Sequence, residues 1–200
     1  MKIILSTRNP SKAEQIKMIF YGLPVSILTL SETDIEGEAI ENSSTLKDNA
    51  LKKAKYAHDF APSGCWAMAD DTGLFINALN GEPGVRSARW SGENATTNEI
   101  TQYCLARLKG IDDRSAFFKT VVALVAPDGQ TCFFDGEVNG ILLDHPRTSP
   151  QPKMPYSPLF VPVGSHKVWA EMTVEEENSI SHRGKAFRKA RNFLEKKLVK

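Results

Sequence analysis

The sequence predicts an α/β protein with a mixed central β-sheet flanked by helices. Three observations carry that prediction. Short apolar runs bounded by turn residues alternate with amphipathic segments through the first half of the chain. Two long runs rich in β-branched and aromatic residues, SAFFKTVVALVA and QTCFFDGEVNGILL, follow around a Pro-Asp-Gly turn, which suits a hairpin. The chain has 200 residues, enough to bury a sizeable core as one domain or as one domain with two lobes.

The elements follow in order. KIILST reads as a short buried strand that breaks at Arg8-Asn9-Pro10. Ser11 and Glu14 have the spacing of a capping box, so a helix over SKAEQIKMIFYGL, ending near Gly22, comes next. VSILTL, after Pro24, is a second strand. The polar loop SETDIEGEAIENS leads into a helix starting near Thr45, with Leu46, Ala50, Ala54 and Ala57 on its inward stripe. CWAMAD reads as a strand, DDTG as a turn, and LFINAL as another strand or extended piece. GEPGVRSARWSG is a long loop, and Thr96 with Glu99 caps a third helix through about Leu108. Beyond the hairpin, His145–Gly164 holds six of the eleven prolines and reads either as a linker or as one wall of a binding site. A capped turn at TVEEEN and a final helix from about His182 complete the chain. The basic residues of KAFRKARNFLEKKLVK form the outer face of that helix.

Composition narrows the function. The 25 basic and 24 acidic residues leave a net charge of +1, so no global field points to nucleic acid or to an anionic membrane. Three widely spaced cysteines without a CxxC fit a reducing compartment and argue against a zinc site. No apolar run approaches the roughly 18 residues of a membrane span. These readings predict a soluble, cytoplasmic protein with neither a nucleic-acid nor a membrane partner.

Five segments carry candidate chemistry. STRNPSK puts Thr7, Asn9 and Lys12 where a strand hands over to a helix. Backbone N–H groups and the helix dipole favour an anion there, although an ordinary capped turn reads the same way. In ADDTGL, Asp70 and Asp71 are adjacent, and neighbours on an extended chain point to opposite sides. One of them would face a site, as a ligand for a hard cation or as a base for water, while the other caps or orients. Glu36, Glu38 and Glu41 precede a helix on which Lys53 falls at the edge of the apolar stripe, where a phosphate partner or simple snorkelling would explain it. GEPGVRSARW fixes a loop carrying Arg86 and Arg89, whose guanidinium groups suit phosphate oxygens. SISHRGKA places Ser181, His182 and Arg183 at a helix start, with exposed donors for a base edge or a phosphate.

In this order and spacing, STRNPSK, E(x)₇NALKKA, ADDTGL, GEPGVRSARWSG and ISHRGKA resemble the inosine triphosphate pyrophosphatase family, whose members hydrolyse ITP, dITP and XTP to the monophosphate and pyrophosphate. The likeness runs from Lys2 to the last helix. It implies a mixed α/β sheet with two lobes and a cleft between them, a Mg²⁺ cofactor and usually a homodimer. It also implies roles for particular residues. Thr7, Asn9 and Lys12 would hold the phosphates, with Lys53 and Arg89 beside them. Glu41 and Asp71 would hold the metal, and Asp71 would be the catalytic carboxylate, with Thr72 next to it on the substrate. His182 and Arg183 would meet the oxo groups of the purine, and Met154, Tyr156, Ser157 and Glu177 would lie on the base side.

Two departures from the family pattern fall on that base side. Where the family has Gly-Phe-Gly-Tyr-Asp-Pro-x-Phe, this chain has KMPYSPLF, with Ser157 in place of the aspartate. Where the family has Glu-Lys-Asn, it has Glu176-Glu177-Asn178, which reverses a charge. The leading expectation is a Mg²⁺-dependent nucleoside triphosphate pyrophosphatase. The alternatives are the same reaction with an altered base preference, and a nucleotide-binding protein without turnover.

Overall fold

The computed structural model describes residues 1–198. Seven strands form one sheet: β1 Lys2–Leu5, β2 Ser26–Thr29, β3 Trp66–Ile76, β4 Pro83–Gly84, β5 Ser115–Val125, β6 Thr131–Leu142 and β7 Phe160–Pro162. Their order is β2-β1-β3-β5-β6-β7, with β4 paired to β3. β1 runs parallel to both neighbours, with Ile3 opposite Ile27 on one side and Trp66 on the other. β4 is antiparallel to β3, and β7 is antiparallel to β6. The sheet is therefore mixed, as the sequence predicts. The helices are α1 Pro10–Ile19, α2 Leu46–Phe60, α3 Thr97–Arg107, α4 Val174–Ile180 and α5 His182–Leu198. Among the described residues, no helix is long and apolar enough to cross a membrane.

The chain divides into two compact units. The first comprises, among the described residues, Met1–Thr72, Thr120–Gly136 and His182–Leu198. The second comprises Gly73–Lys119 and Glu137–Ser181.

In the first unit, strand parity sorts the core into two layers, because successive strand side chains point to opposite faces. Met68 packs with Ile3, Leu5, Val122 and Leu124 under Ile16 of α1, Phe20 at its C-terminal cap and Phe187 of α5. Ala67 and Ala69 pack with Ile4, Ala123 and Val125 under Ala50, Ala54 and Ala57 of α2. The predicted inward stripe of α2 is thus buried. Its alanines let the helix backbone lie close to the sheet. Burying Phe187 completely contributes on the order of 2 kcal/mol.

In the second unit, Phe118, Tyr156, Phe160 and Trp169 form an aromatic core with Leu74, Ile100 and Cys104. The proline-rich stretch His145–Gly164 lies wholly inside this unit, so it is not a linker. It is tied down by Thr101 Oγ1, which donates to the Pro155 carbonyl at 2.6 Å, and it ends as β7.

Three local expectations are corrected. DDTG is no turn: β3 runs unbroken through it from Trp66 to Ile76. The α1 cap is Asn9, not the Ser11–Glu14 box, because Pro10 takes the first helical position and Asn9 Oδ1 accepts from the Ser11 and Lys12 amides. TVEEEN is not merely a turn but the start of α4, boxed by Thr173 and Glu176.

Candidate active site

The centre of the site is the adjacent pair on β3. Asp70 shares its face with Met68, toward α1 and α5, and Asp71 shares its face with Ala69, toward α2. Both carboxylates are buried. Each has partners brought by different helices, which is why a strand can carry two charges through its interior.

On the α2 side, Lys53 Nζ lies 2.8 Å from Glu41 Oε2 and 3.3 Å from Asp71 Oδ1. Asn49, one helical turn before Lys53, donates to Asp71 Oδ2 at 3.1 Å. Its own amide oxygen accepts from the Ser43 N–H at 3.0 Å, which joins the acidic loop to the carboxylate. Arg8 pins the same loop by donating to the Ile35 and Gly37 carbonyls, and the Tyr56 hydroxyl donates to the Glu36 carbonyl. Burial pushes the Asp71 carboxyl above the usual carboxylate range; Lys53 opposes the shift and Glu41 adds to it. Burial works against the Lys53 ammonium, but the charges of Asp71, Glu41 and Asp70 outweigh it and raise its pKa.

On the α1/α5 side, Lys12 Nζ sits 3.2 Å from Asp70 Oδ1, and Arg183 Nε sits 3.7 Å from Asp70 Oδ2. Arg183 also donates from Nη1 to Gln15 Oε1 at 2.8 Å. Burial would push Asp70 up, but Lys12, Arg183 and Lys53 overcome it and hold this carboxyl well below the usual range. Burial lowers the Lys12 pKa, resisted by Asp70 and reinforced by the Arg183 and Lys53 charges. Thr72 Oγ1 is 3.3 Å from Asp70 Oδ2 and 2.7 Å from Thr120 Oγ1.

At the end of β1, Thr7 Oγ1 accepts from the Asn9 amide at 3.2 Å, and Asn9 caps α1. Lys12 therefore projects from the first turn of a helix with oriented N–H groups, beside a buried carboxylate. His182 and Arg183 were expected to present exposed donors. Both are buried instead, at 4% and 7% exposure, because α5 enters the core at its first residue. Burial and the Arg183 charge push the His182 pKa well below its ordinary value, so the imidazole is neutral at neutral pH.

The remaining predicted residues belong to the second unit. Arg89 ends a short 3₁₀ turn, Ser87–Arg89, with Nε 3.6 Å from Glu93. Tyr156 is buried and donates to the Ser87 carbonyl at 2.8 Å. Ser157 is buried in its own turn, donating to the Met154 carbonyl at 2.8 Å and accepting from the Gln151 amide at 2.9 Å. Glu177 is buried in α4.

The sequence profile of the Ham1 family matches residues 3–193. The chain belongs to the Ham1 family. It is 42% identical over 200 residues to the dITP/XTP pyrophosphatase of Thermoanaerobacter pseudethanolicus, covering 99% of this chain and 98% of the relative. It is 37% identical over 195 residues to the dITP/XTP pyrophosphatase of Geobacter sulfurreducens, covering 96% of each. Among solved structures, the HAM1 protein of Coxiella burnetii matches with a TM-score of 0.85 and 33% identity, over 98% of this chain and 99% of that one. The Ham1 protein of Staphylococcus aureus matches at 0.83 and 31%, over 98% and 100%. The resemblance read from the motifs and the α/β fold are borne out together.

Within this Ham1-family fold, three residues complete the cluster that sequence reasoning left out: Gln15, Asn49 and Thr120. Two had a signal. Asn49 is four residues before Lys53 and Gln15 three after Lys12, so each shares a helix face with a singled-out lysine. Thr120 shares strand parity with Val122 and Leu124, which marks its face but not its partner.

Proposed function

We propose that this protein hydrolyses the triphosphates of deaminated purines (ITP, dITP and XTP) to the monophosphate and pyrophosphate. The observation that carries the reading is the division of labour across β3. Lys12 and Arg183 gather around an ionised Asp70 on one face, and Asp71, its pKa raised, faces Lys53 and Glu41 on the other. A raised carboxyl suits a base that takes a proton from water near neutral pH. Lys12 and Lys53 offset charge developing on the transferred phosphoryl oxygens. Thr7 and the capped start of α1 orient the phosphate chain.

A divalent cation fits the donor set. Glu41 and Asp71 are hard oxygen donors that already flank one ammonium, so the pair accommodates positive charge between them. Among the described residues no group of three or more His, Cys, Asp or Glu is poised for a metal. Mg²⁺ commonly needs only one or two carboxylates and takes its other ligands from water and substrate phosphates. Glu41 and Asp71 would hold it, and it would supply charge neutralisation and a more acidic bound water.

The test is pyrophosphate release from a panel of nucleoside triphosphates with MgCl₂. Turnover of ITP and XTP well above ATP and GTP is expected, and the absence of release from every member of the panel refutes the reading. A second reading keeps the reaction and shifts the base preference. It is favoured by Ser157, a neutral side chain engaged within its own turn where the family pattern that the motifs resemble has an aspartate. Ratios of kcat/KM across ITP, XTP, GTP and dUTP separate the two. Pairing of two copies, which the family resemblance implies, is checked by light scattering.

A further inference from the structure

Thr120 lies in the middle of β5 with no exposed surface. Its strand neighbours of the same parity, Val122 and Leu124, pack in the apolar layer under α1 and α5. A hydroxyl on that face needs a partner, and Thr72 Oγ1 supplies it at 2.7 Å. Thr72 is in turn 3.3 Å from Asp70 Oδ2, two residues back on the same face of β3.

The direction of these bonds is fixed by Asp70. Its carboxylate is ionised beside Lys12 and Arg183, and an ionised carboxylate only accepts. Thr72 must therefore donate to Asp70. Its single proton being used there, its oxygen accepts from Thr120. The chain runs one way: Thr120 donates to Thr72, Thr72 donates to Asp70, and Asp70 holds Lys12. Donation from Thr120 also polarises the Thr72 hydroxyl and strengthens the longer second bond.

We propose that Thr120 is a positioning residue for this reaction, its buried hydroxyl setting Thr72 and, through Thr72 and Asp70, the place of the Lys12 ammonium. This rests on the reading that Lys12 meets the phosphates. Charge develops on those oxygens in the transition state, so small displacements of Lys12 act on the chemical step more than on ground-state binding.

The experiment compares Thr120→Val, which exchanges the hydroxyl for a methyl of similar size, with Thr120→Ser, which keeps the donor. Thr120→Val is expected to lower kcat for ITP by about 3- to 10-fold, the scale of one hydrogen bond, with KM moving less than about twofold. Thr120→Ser should retain most of the activity. In the double variant Thr72→Val/Thr120→Val the loss should equal that of Thr72→Val alone, because the second hydroxyl acts only through the first. Unchanged kcat in Thr120→Val, an equal loss in Thr120→Ser, or additive losses in the double variant would overturn the proposal. A readout free of turnover separates this from failure of the proposed reaction. The Lys12 ammonium resonance, assigned by its loss in Lys12→Arg, should move in Thr120→Val and not in Thr120→Ser. An unmoved resonance overturns the proposal even if the wild-type protein hydrolyses none of the triphosphates.

Discussion

Lys53→Met removes the ammonium that stands between two carboxylates while keeping the length of its stem. At an effective dielectric of about 20, contacts of 2.8 and 3.3 Å correspond to roughly 6 and 5 kcal/mol of gross attraction. Most of that offsets desolvation. What the substitution exposes is the cost of leaving Asp71 buried without its counter-ion, about 3 kcal/mol, at the low end for a broken buried pair because a third of the Glu41 side chain stays in water. For a chain of this size that lowers Tm by about 6–12 °C. The pH dependence follows from Asp71, whose pKa in the folded state is already above its ordinary 3.8. An acid with a raised folded pKa contributes no penalty at low pH, and its penalty grows as pH rises through that folded pKa. Without Lys53 the rise is larger, so the gap between variant and wild type should be greatest near pH 8 and close as pH falls through the carboxylate range. Added MgCl₂ should raise the Tm of Lys53→Met more than that of wild type, since a cation between Glu41 and Asp71 restores the missing charge. Thermal unfolding followed by circular dichroism from pH 4 to 8, with and without MgCl₂, measures all of this. A variant as stable as wild type at pH 8, or a gap independent of pH, would refute the reasoning.

Asp71→Asn should retain the fold by circular dichroism but lose about 10²- to 10⁴-fold in kcat/KM, measured as pyrophosphate release. Gly136→Ala should cost about 3 kcal/mol in urea unfolding, because a Cβ there would collide with the His182 carbonyl oxygen and lie 2.7 Å from the Ala186 amide nitrogen, at the start of α5. Tyr156→Phe should cost about 1–2 kcal/mol by leaving the buried Ser87 carbonyl without its donor, again read from the urea midpoint.

Local pattern made the regular elements legible. The alanine stripe of α2, the Thr96–Glu99 box and the Pro-Asp-Gly hairpin are features that neighbours in sequence determine, and the structure has all three. DDTG misled because local chemistry and tertiary chemistry disagree there. Two aspartates, a threonine and a glycine favour a turn when nothing else is known. β3 persists because Lys12, 58 residues before Asp70, and Arg183, 113 residues after it, neutralise the first carboxylate, while Lys53 and Asn49 satisfy the second. No window of sequence contains those partners. The same limit hid the burial of His182 and Arg183. A helix start read alone looks solvated, whereas α5 begins against Gly136, which leaves no room for a side chain.

The two aspartates also show why adjacency in sequence does not make residues interchangeable. Asp70 is surrounded by more positive charge than it carries, so its carboxyl is held low and stays ionised. Asp71 shares one ammonium with Glu41, so burial prevails and its carboxyl is raised. A carboxylate held low is a poor proton acceptor but a dependable anchor for cations, and a raised one is the reverse. The assignment is enforced by strand parity: turning Asp70 toward Lys53 would require a one-residue shift of β3. That shift would also carry Met68 out of the α1/α5 layer and bring Ala67 and Ala69 out from under α2. The loss of packing on both faces makes the exchange inaccessible, so the intact Asp70 next door cannot rescue Asp71→Asn.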